Sequence, residues 1–211
     1  MTIIKYLASS LVDKILVSRL VIDPGSLSVL PAATGRSMHK HEKRVVFTAE
    51  EIACQVQQLA NRISQDYEGK EVVLIGVLKG AFIFLADLVR QLTIPVQLDF
   101  IRVASYGPGT ESSGKIRITT DVELDLQGRD VLIVEDIVDS GLTTAFVKKH
   151  LTSKKPRSVK ICTLLDKRER RTVSIPLEYV GLQLEQGFVV GYGLDCNEAN
   201  RQLPGIYELI L

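Results

Sequence analysis

The stretch "VLIVEDIVDSGLTT", residues 131–144, decides how the rest of the chain is read. It opens on four apolar residues, Val131, Leu132, Ile133 and Val134, the pattern of a strand buried on both faces. It then runs directly into Glu135 and Asp136, and on into Asp139, Ser140, Gly141 and two threonines. Carboxylates at the rim of a core strand are costly to desolvate unless something there binds them. In open α/β sheets ligands sit beyond the carboxyl ends of the strands, so this rim is where a site is expected.

The flanking segments agree with such a sheet. Upstream, Thr48 and Glu51 have capping-box spacing, and Ile52, Val56, Leu59 and Ile63 mark the buried stripe of a helix. "EVVLIGVLKG" (71–80) reads as a buried strand ending in a Lys-Gly turn, "AFIFLADLVRQL" (81–92) as a helix and "VQLDFIRVAS" (96–105) as an alternating strand. "YGPGTESSGK" (106–115) cannot build a core and reads as a mobile loop or lid. "IRITT" (116–120) and "VELDLQGRD" (122–130) suggest a strand pair leading into residue 131. "GLTTAFVKKHL" (141–151) follows as a helix, "SVKICTLLD" (158–166) as a strand, and "LEYVGLQL" (177–184) and "FVVGY" (188–192) as two short late ones. Strands alternating with helices predict a mostly parallel sheet covered by helices on both faces.

Composition narrows the function. With 211 residues, 45% of them hydrophobic and 24% charged, the chain suits one α/β domain with a full core. A formal charge of +1 gives no basis for a nucleic-acid or membrane surface, so any anion site must be local. No apolar run approaches the roughly 20 residues that span a bilayer. Cys54, Cys162 and Cys196 lack metal-ligand spacing and read as buried thiols of a reducing compartment, hence a cytoplasmic protein.

Residues 1–43 stand apart from the domain assigned to 44–211. Ile3, Leu7, Leu11 and Ile15 recur every four residues, and a Pro/Gly-containing stretch follows. This segment is either an organellar leader or an upstream extension of the reading frame with the working start at Met38; we favour the second.

Unusual clusters fall at several strand ends: Lys79-Gly80, Ser105-Tyr106, Glu135-Asp136 and Asp166-Lys167. The turn of residues 139–144 opens a helix whose free N–H groups carry about half a positive charge, which suits a phosphate monoester. It is no Walker loop, because the glycine spacing and the Lys-Ser/Thr pair are absent. The upstream carboxylates repel phosphate and so suit ribose hydroxyls and a magnesium ion. A phosphorylated sugar with a divalent metal is the ligand these residues imply.

At this point a family resemblance enters. "VLIVEDIVDSGLTT" resembles the phosphoribosyl pyrophosphate (PRPP) motif of type I phosphoribosyltransferases. "VLKGAFIFLADLVR", "VEDIVDSGLTT", "LLDKRERR" and "GFVVGYGLDCNEANRQLPGIYEL" occur in the order found in hypoxanthine–guanine phosphoribosyltransferases, over about residues 45–211. The pattern is closest to the bacterial type, with Leu142 where many animal members carry Lys. The resemblance implies a type I phosphoribosyltransferase fold with a small hood and a flexible lid. It also implies purine salvage: Mg²⁺-dependent transfer of 5-phosphoribose from PRPP to N9 of a 6-oxopurine, giving IMP or GMP and pyrophosphate.

Residue by residue, the resemblance implies that Glu135 and Asp136 meet the ribose hydroxyls and Mg²⁺, and that Asp139 is the general base near purine N7. Ser140, Gly141, Leu142, Thr143 and Thr144 would cradle the 5′-phosphate. Lys79 and Gly80 would hold pyrophosphate, after a non-proline cis bond at Leu78–Lys79, with Arg201 as a second contact. Lys167 would recognise the 6-oxo group, since an ammonium only donates and leaves a 6-amino group unmatched. Phe188 would stack on the purine, Val189 would add main-chain contacts, and Asp195 would be a second Mg²⁺ or guanine-amine contact. Ser105 and Tyr106 would belong to the lid over residues 105–115. Each also has a plain structural reading: Asp139 as helix cap, Lys167 as one charge of a basic run, "FVV" as core strand, Arg201 as a solvated side chain. The same resemblance implies a homodimer or homotetramer and no nucleic-acid partner. Its rivals are a PRPP-binding regulator without turnover, a type I transferase preferring xanthine or adenine, and a receiver-like domain phosphorylated at the acidic strand end.

Overall fold

The computed structural model describes residues 42–106 and 115–210. The chain divides into two units, Met1–Lys40 and His41–Leu211, and only the second is described here. The leader or extension expected at the N-terminus thus lies outside the described residues, except Glu42 and Lys43, which pair in a strand with Ile210 and Leu209. Residues 107–114 of the expected lid also lie outside.

The apolar run at residue 131 is the centre of strand β5 (Asp130–Val138), numbering from β1 (Glu42–Phe47), β2 (Val72–Leu78), β3 (Val96–Tyr106) and β4 (Lys115–Thr120). With β6 (Ser158–Lys167) and β7 (Tyr179–Leu184) it builds a six-stranded sheet in the order β4-β3-β2-β5-β6-β7. β2 pairs parallel with β3 and β5, β5 with β6, and β6 with β7, while β4 joins β3 antiparallel. Because a strand's side chains alternate between faces, the apolar run serves two cores. Leu132 and Val134 meet α1 (Ala49–Asp66) and α2 (Phe82–Gln91) through Ile52, Val56, Leu59, Ile63, Phe84, Leu85 and Leu88. Val131 and Ile133 face the other way, into a core shared with Val147 and Leu151 of α3 (Leu142–Ser153). Helices on both faces are therefore what the doubly buried strand pattern demands.

Two expectations need correction. Residues 122–129 are not a strand; β3, not this segment, pairs with β4. Its alternation does bury Val122 and Leu126, but the backbone amides of Glu123 and Leu124 donate to Asp99 Oδ2 rather than to a neighbouring strand. The thiols are not uniformly buried either: Cys162 is, Cys196 is partly so, and Cys54 lies on the exposed side of α1.

A second, antiparallel sheet of β1, β9 (Ile206–Ile210) and β8 (Val189–Val190), in the order β1-β9-β8, forms a small separate layer. Its outer strands carry no readable alternation, since "EKRVVF" is mostly exposed and finds its partner 164 residues later, as the Arg44–Glu208 ion pair illustrates. The expected capping box is formed: Glu51 N donates to Thr48 Oγ1 at 3.2 Å and Thr48 N to Glu51 Oε2 at 2.8 Å. His150 lies in the last turn of α3, 2.9 Å from Asp121 Oδ1. No helix among the described residues is long and apolar enough to cross a membrane.

Candidate active site

The strand order places the site. From β2 the chain steps one way to β3, and from β5 the other way to β6 and β7, so the sheet changes direction between β2 and β5. Ligands of open α/β sheets bind in the crevice at such a switch point. A cavity of about 330 Å³ opens there, lined by Lys79 and Gly80 after β2, Asp136 and Asp139 at the end of β5, and Lys167 at the end of β6. Phe188, Val189, Asp195 and Arg201 complete the wall from the C-terminal segment, together with Ile137, Gly187 and Leu194, which sequence reasoning did not single out.

The acidic strand end is tightly built. Glu135 is 6% exposed and Asp136 9%. A Cβ on Gly80 would stand 1.7 Å from Asp136 Oδ2, so the absence of a side chain at Gly80 is what admits the carboxylate. The bond Leu78–Lys79 is cis, as expected. Burial, and then the neighbouring Asp136 charge, push the Glu135 carboxyl well above the usual range. Burial also raises Asp136, against the opposing pull of Arg201 and backbone amides. Glu135 Oε2 and Asp139 Oδ1 are buried without a hydrogen-bond partner among the described residues. Groups left so are waiting for a donor or cation that the protein itself does not supply.

The turn after β5 is shaped for an anion. Gly141, with φ +83°, is the N-cap of α3 and supplies no side-chain cap, so Asp139 is not the capping residue. α2 likewise begins at Ala81 with no side-chain cap, whereas α1 has its full capping box. The two helices that begin just past the cavity-wall residues Gly80 and Asp139 are thus the two whose N-cap residues give no side-chain cap, which suits a phosphate-binding terminus. Ser140, Leu142, Thr143 and Thr144 follow Asp139 directly, outside the cavity wall; Ser140 Oγ lies 3.4 Å from the Leu142 amide, and Thr144 is buried.

Lys167 is no member of a solvated basic run: it is 7% exposed, with Nζ 3.9 Å from Asp139 Oδ2 and 3.4 Å from Glu169 Oε2. Phe188 is the reverse, a large aromatic 47% exposed in the cavity wall, while Val189 and Val190 supply the core of β8. Arg201 is held from several sides, donating to the Gly193 carbonyl at 2.7 Å and pairing with Asp195 Oδ1 at 2.8 Å and Glu198 Oε2 at 3.1 Å. Glu198 also meets Lys79 Nζ at 2.9 Å, so one carboxylate bridges two cations far apart in the chain. Both Asp195 oxygens are engaged, the second by the Glu198 amide at 2.8 Å. Ser105 and Tyr106 end β3 as strand backbone, and Tyr106 lies opposite Lys115.

Glu198 and Arg171 were missed. Glu198 sits in a loop where Asn197, Glu198 and Asn200 all take positive φ, a conformation sequence pattern rarely betrays outside glycine. Arg171 was lost in "RERR". Among the described residues no group of three or more His, Cys, Asp or Glu could cage a metal ion.

The model for the phosphoribosyl transferase domain matches residues 46–197. The hypoxanthine-guanine phosphoribosyltransferase of Mycobacterium bovis is 43% identical over 194 residues, covering 89% of this chain and 96% of that protein. The hypoxanthine phosphoribosyltransferase of Escherichia coli K12 is 41% identical over 174 residues, 82% of this chain and 98% of its own. Among solved structures, a hypoxanthine phosphoribosyltransferase from Staphylococcus aureus superposes with a TM-score of 0.77 at 40% identity, covering 84% of this chain and 97% of that one.

Proposed function

Given that this chain belongs to the phosphoribosyl transferase domain family, with relatives that are hypoxanthine phosphoribosyltransferases, we propose that it transfers 5-phosphoribose from PRPP to N9 of hypoxanthine or guanine. The products are the purine nucleotide and pyrophosphate, and the role is purine salvage. The observation that carries this reading is one switch-point cavity lined by a buried Asp136, a buried Lys167 and an exposed Phe188, with two helices without side-chain caps beginning directly after its wall residues Gly80 and Asp139.

Each group has a task in the reaction. The turn of Ser140, Gly141, Leu142, Thr143 and Thr144 takes the 5′-phosphate on its amides and hydroxyls. Lys79, Gly80 and Arg201 hold the pyrophosphate, whose growing negative charge must be stabilised as the C1–oxygen bond loosens. Glu135 and Asp136 accept from the ribose hydroxyls. Phe188 stacks on the purine, and Lys167 donates to its 6-oxo oxygen. Asp139, with a buried oxygen that accepts nothing from the described residues, takes the proton from N7 as N9 bonds to C1. Holding base and sugar in line supplies much of the acceleration.

Magnesium fits the oxygens present. The buried, unpartnered Glu135 Oε2 and the cavity-facing Asp136 offer hard donors, and magnesium keeps much of its shell as water and ligand oxygen, so no protein cage is required. Asp136 and Glu135 would hold the ion, which would supply charge neutralisation to the diphosphate when bound. Asp195 lines the same cavity but has both oxygens engaged by Arg201 and the Glu198 amide, so it would serve only after releasing one of them. In this reading the assembly is a homodimer or homotetramer.

The test is direct: incubate the protein with PRPP, Mg²⁺ and each of hypoxanthine, guanine, xanthine and adenine, and follow nucleotide formation by absorbance. Turnover is expected with the first two. PRPP binding without turnover on any base would favour a regulator, and turnover with xanthine alone would change the base assignment.

A further inference from the structure

Arg171 lies outside the groups assigned to substrate, yet it is the most heavily engaged cation near them. Its side chain is 18% exposed. Nε donates to the Asp139 carbonyl at 2.8 Å, and Nη2 donates to the Val138 carbonyl at 2.8 Å and, longer, to the Lys167 carbonyl at 3.3 Å. Nη2 also meets Asp166 Oδ1 at 2.5 Å, and the other oxygen of that carboxylate, 1% exposed, accepts from Arg168 Nε at 2.8 Å. The next two residues continue the contact, since the amides of Thr172 and Val173 both donate to the Ser140 carbonyl, at 3.0 and 3.1 Å. A Cβ on Gly141 would stand 2.8 Å from the Val173 carbonyl oxygen and 3.2 Å from Arg171 Cδ, so the glycine is also what lets this segment lie against the turn.

The chemistry of these bonds is specific. Where parallel strands end, carbonyls lose their sheet partners and must be satisfied in another way. A guanidinium presents several donors in a rigid plane, so one group can bind carbonyls from two strands at fixed separation, which the single point charge of a lysine cannot do. Arg171 thereby ties the end of β5, which carries Asp139, to the end of β6, which carries Lys167.

We propose that Arg171 is a positioning residue of the transfer reaction: it sets the spacing between Asp139 and Lys167 and holds the phosphate turn in its binding shape. The proposal rests on the roles given above to those two residues and the turn. A cavity of about 520 Å³, lined by Arg171 with Asp166, Arg168, Thr172 and Ser174, adjoins the guanidinium and gives a small cation a route to its place. That route makes chemical rescue a usable readout.

The experiment compares full-length wild type with R171A, R171K and R168A, scoring kcat and the KM values for PRPP and hypoxanthine per folded molecule, with Tm recorded in parallel. Added methylguanidinium is set against methylammonium. R171A should lose roughly 10²-fold in kcat/KM with a raised KM for PRPP, the order expected when reacting groups shift by about 1 Å. R171K should not recover it, methylguanidinium should recover R171A where methylammonium does not, and R168A should stay close to wild type. A role confined to stability would lower Tm and the folded fraction while leaving the KM values unchanged; that result overturns the proposal, as does R171K with wild-type kinetics. Should R171A fail to fold, R171K decides alone: a raised KM for PRPP supports the positioning role and an unchanged one sinks it. Absence of turnover in the wild type would refute the transferase reading itself, and that failure is visible before any variant is measured.

Discussion

Gly80→Ala adds one methyl group where the sheet edge has no room for it. Its Cβ would lie 1.7 Å from Asp136 Oδ2, 2.4 Å from Cγ and 2.8 Å from Oδ1. Carbon and oxygen in contact sit about 3.3 Å apart, so the carboxylate or the loop must move by about 1.5 Å. The backbone at Gly80 is outside the left-handed region, so the methyl and not the dihedral is the perturbation. Asp136 is 9% exposed, and the space open to it is the cavity itself, so yielding to the methyl moves the carboxylate into the site. Overpacking of this kind costs about 1–3 kcal/mol. Displacing the carboxylate removes the ribose contact proposed for Asp136, and a misplacement of about 1 Å at a reacting centre costs roughly 10²-fold in rate. Urea denaturation would read the first effect; calorimetric PRPP titration with Mg²⁺ and initial rates would read the second. A double-mutant cycle with Asp136→Ala isolates the cause, because Gly80→Ala should cost far less stability once the carboxylate is gone, a coupling of about 1–2 kcal/mol. Gly128→Ala is the control: nothing lies within 4 Å of its added Cβ, so it bears only the strain of φ +69° and should leave the rates unchanged. Wild-type PRPP affinity and rate in Gly80→Ala, or strict additivity with Asp136→Ala, would refute the reasoning.

Asp139→Asn should lower kcat by about 10²–10⁴-fold, the usual worth of a general base, with PRPP binding by calorimetry nearly unchanged; normal turnover would remove Asp139 from that role. Glu135 and Asp136 are both raised by burial, and a carboxyl raised in the folded state contributes stability that is whole below its unfolded pKa of about 4 and lost as pH rises through its folded value. The ligand-free protein should therefore lose stability on this account toward neutral pH, and Glu135→Gln should show a shallower decline of Tm with pH; parallel curves would contradict it. Lys167→Met should cost more catalytic efficiency with 6-oxopurines than it costs PRPP affinity if the lost donor serves the base as proposed; equal losses in both would speak for a structural lysine. A chain beginning at Met38 retains all of β1 and should fold and turn over like the full one, and insolubility would assign the leading segment to the domain.

Much of the fold was legible because its signals are local. Four consecutive apolar residues, three of them β-branched, between Gly128 and the Ser140-Gly141 turn read as a strand covered on both sides, and a capping box at Thr48 and Glu51 marks a helix start. The acids, the Ser-Gly turn and the Lys-Gly turn were legible as site residues because each is a poor choice for a plain strand end. Other features depended on groups far apart in the chain. Of the three-stranded layer only β8 was read, within "FVVGY"; β1 and β9 are short, β1 is mostly exposed, and their pairing is decided by tertiary contact. Residues 122–129 misled because alternation reports which side chains are buried, and Asp99, more than twenty residues away, takes the amides that a strand would have shared.

By itself, then, the sequence determined the three helices, the strands of the larger sheet and their order, and the chemical types gathered at the strand ends. Only the tertiary structure decided which of those ends meet: that β2 and β5 are neighbours across the point where the sheet reverses, that Lys167 is buried beside Asp139, and that Arg171 spans two strand ends. The reason is physical. Backbone propensity and hydrophobic period act over a few residues, whereas the partner of a buried charge or of an orphaned carbonyl is whichever group the packed sheet brings within reach.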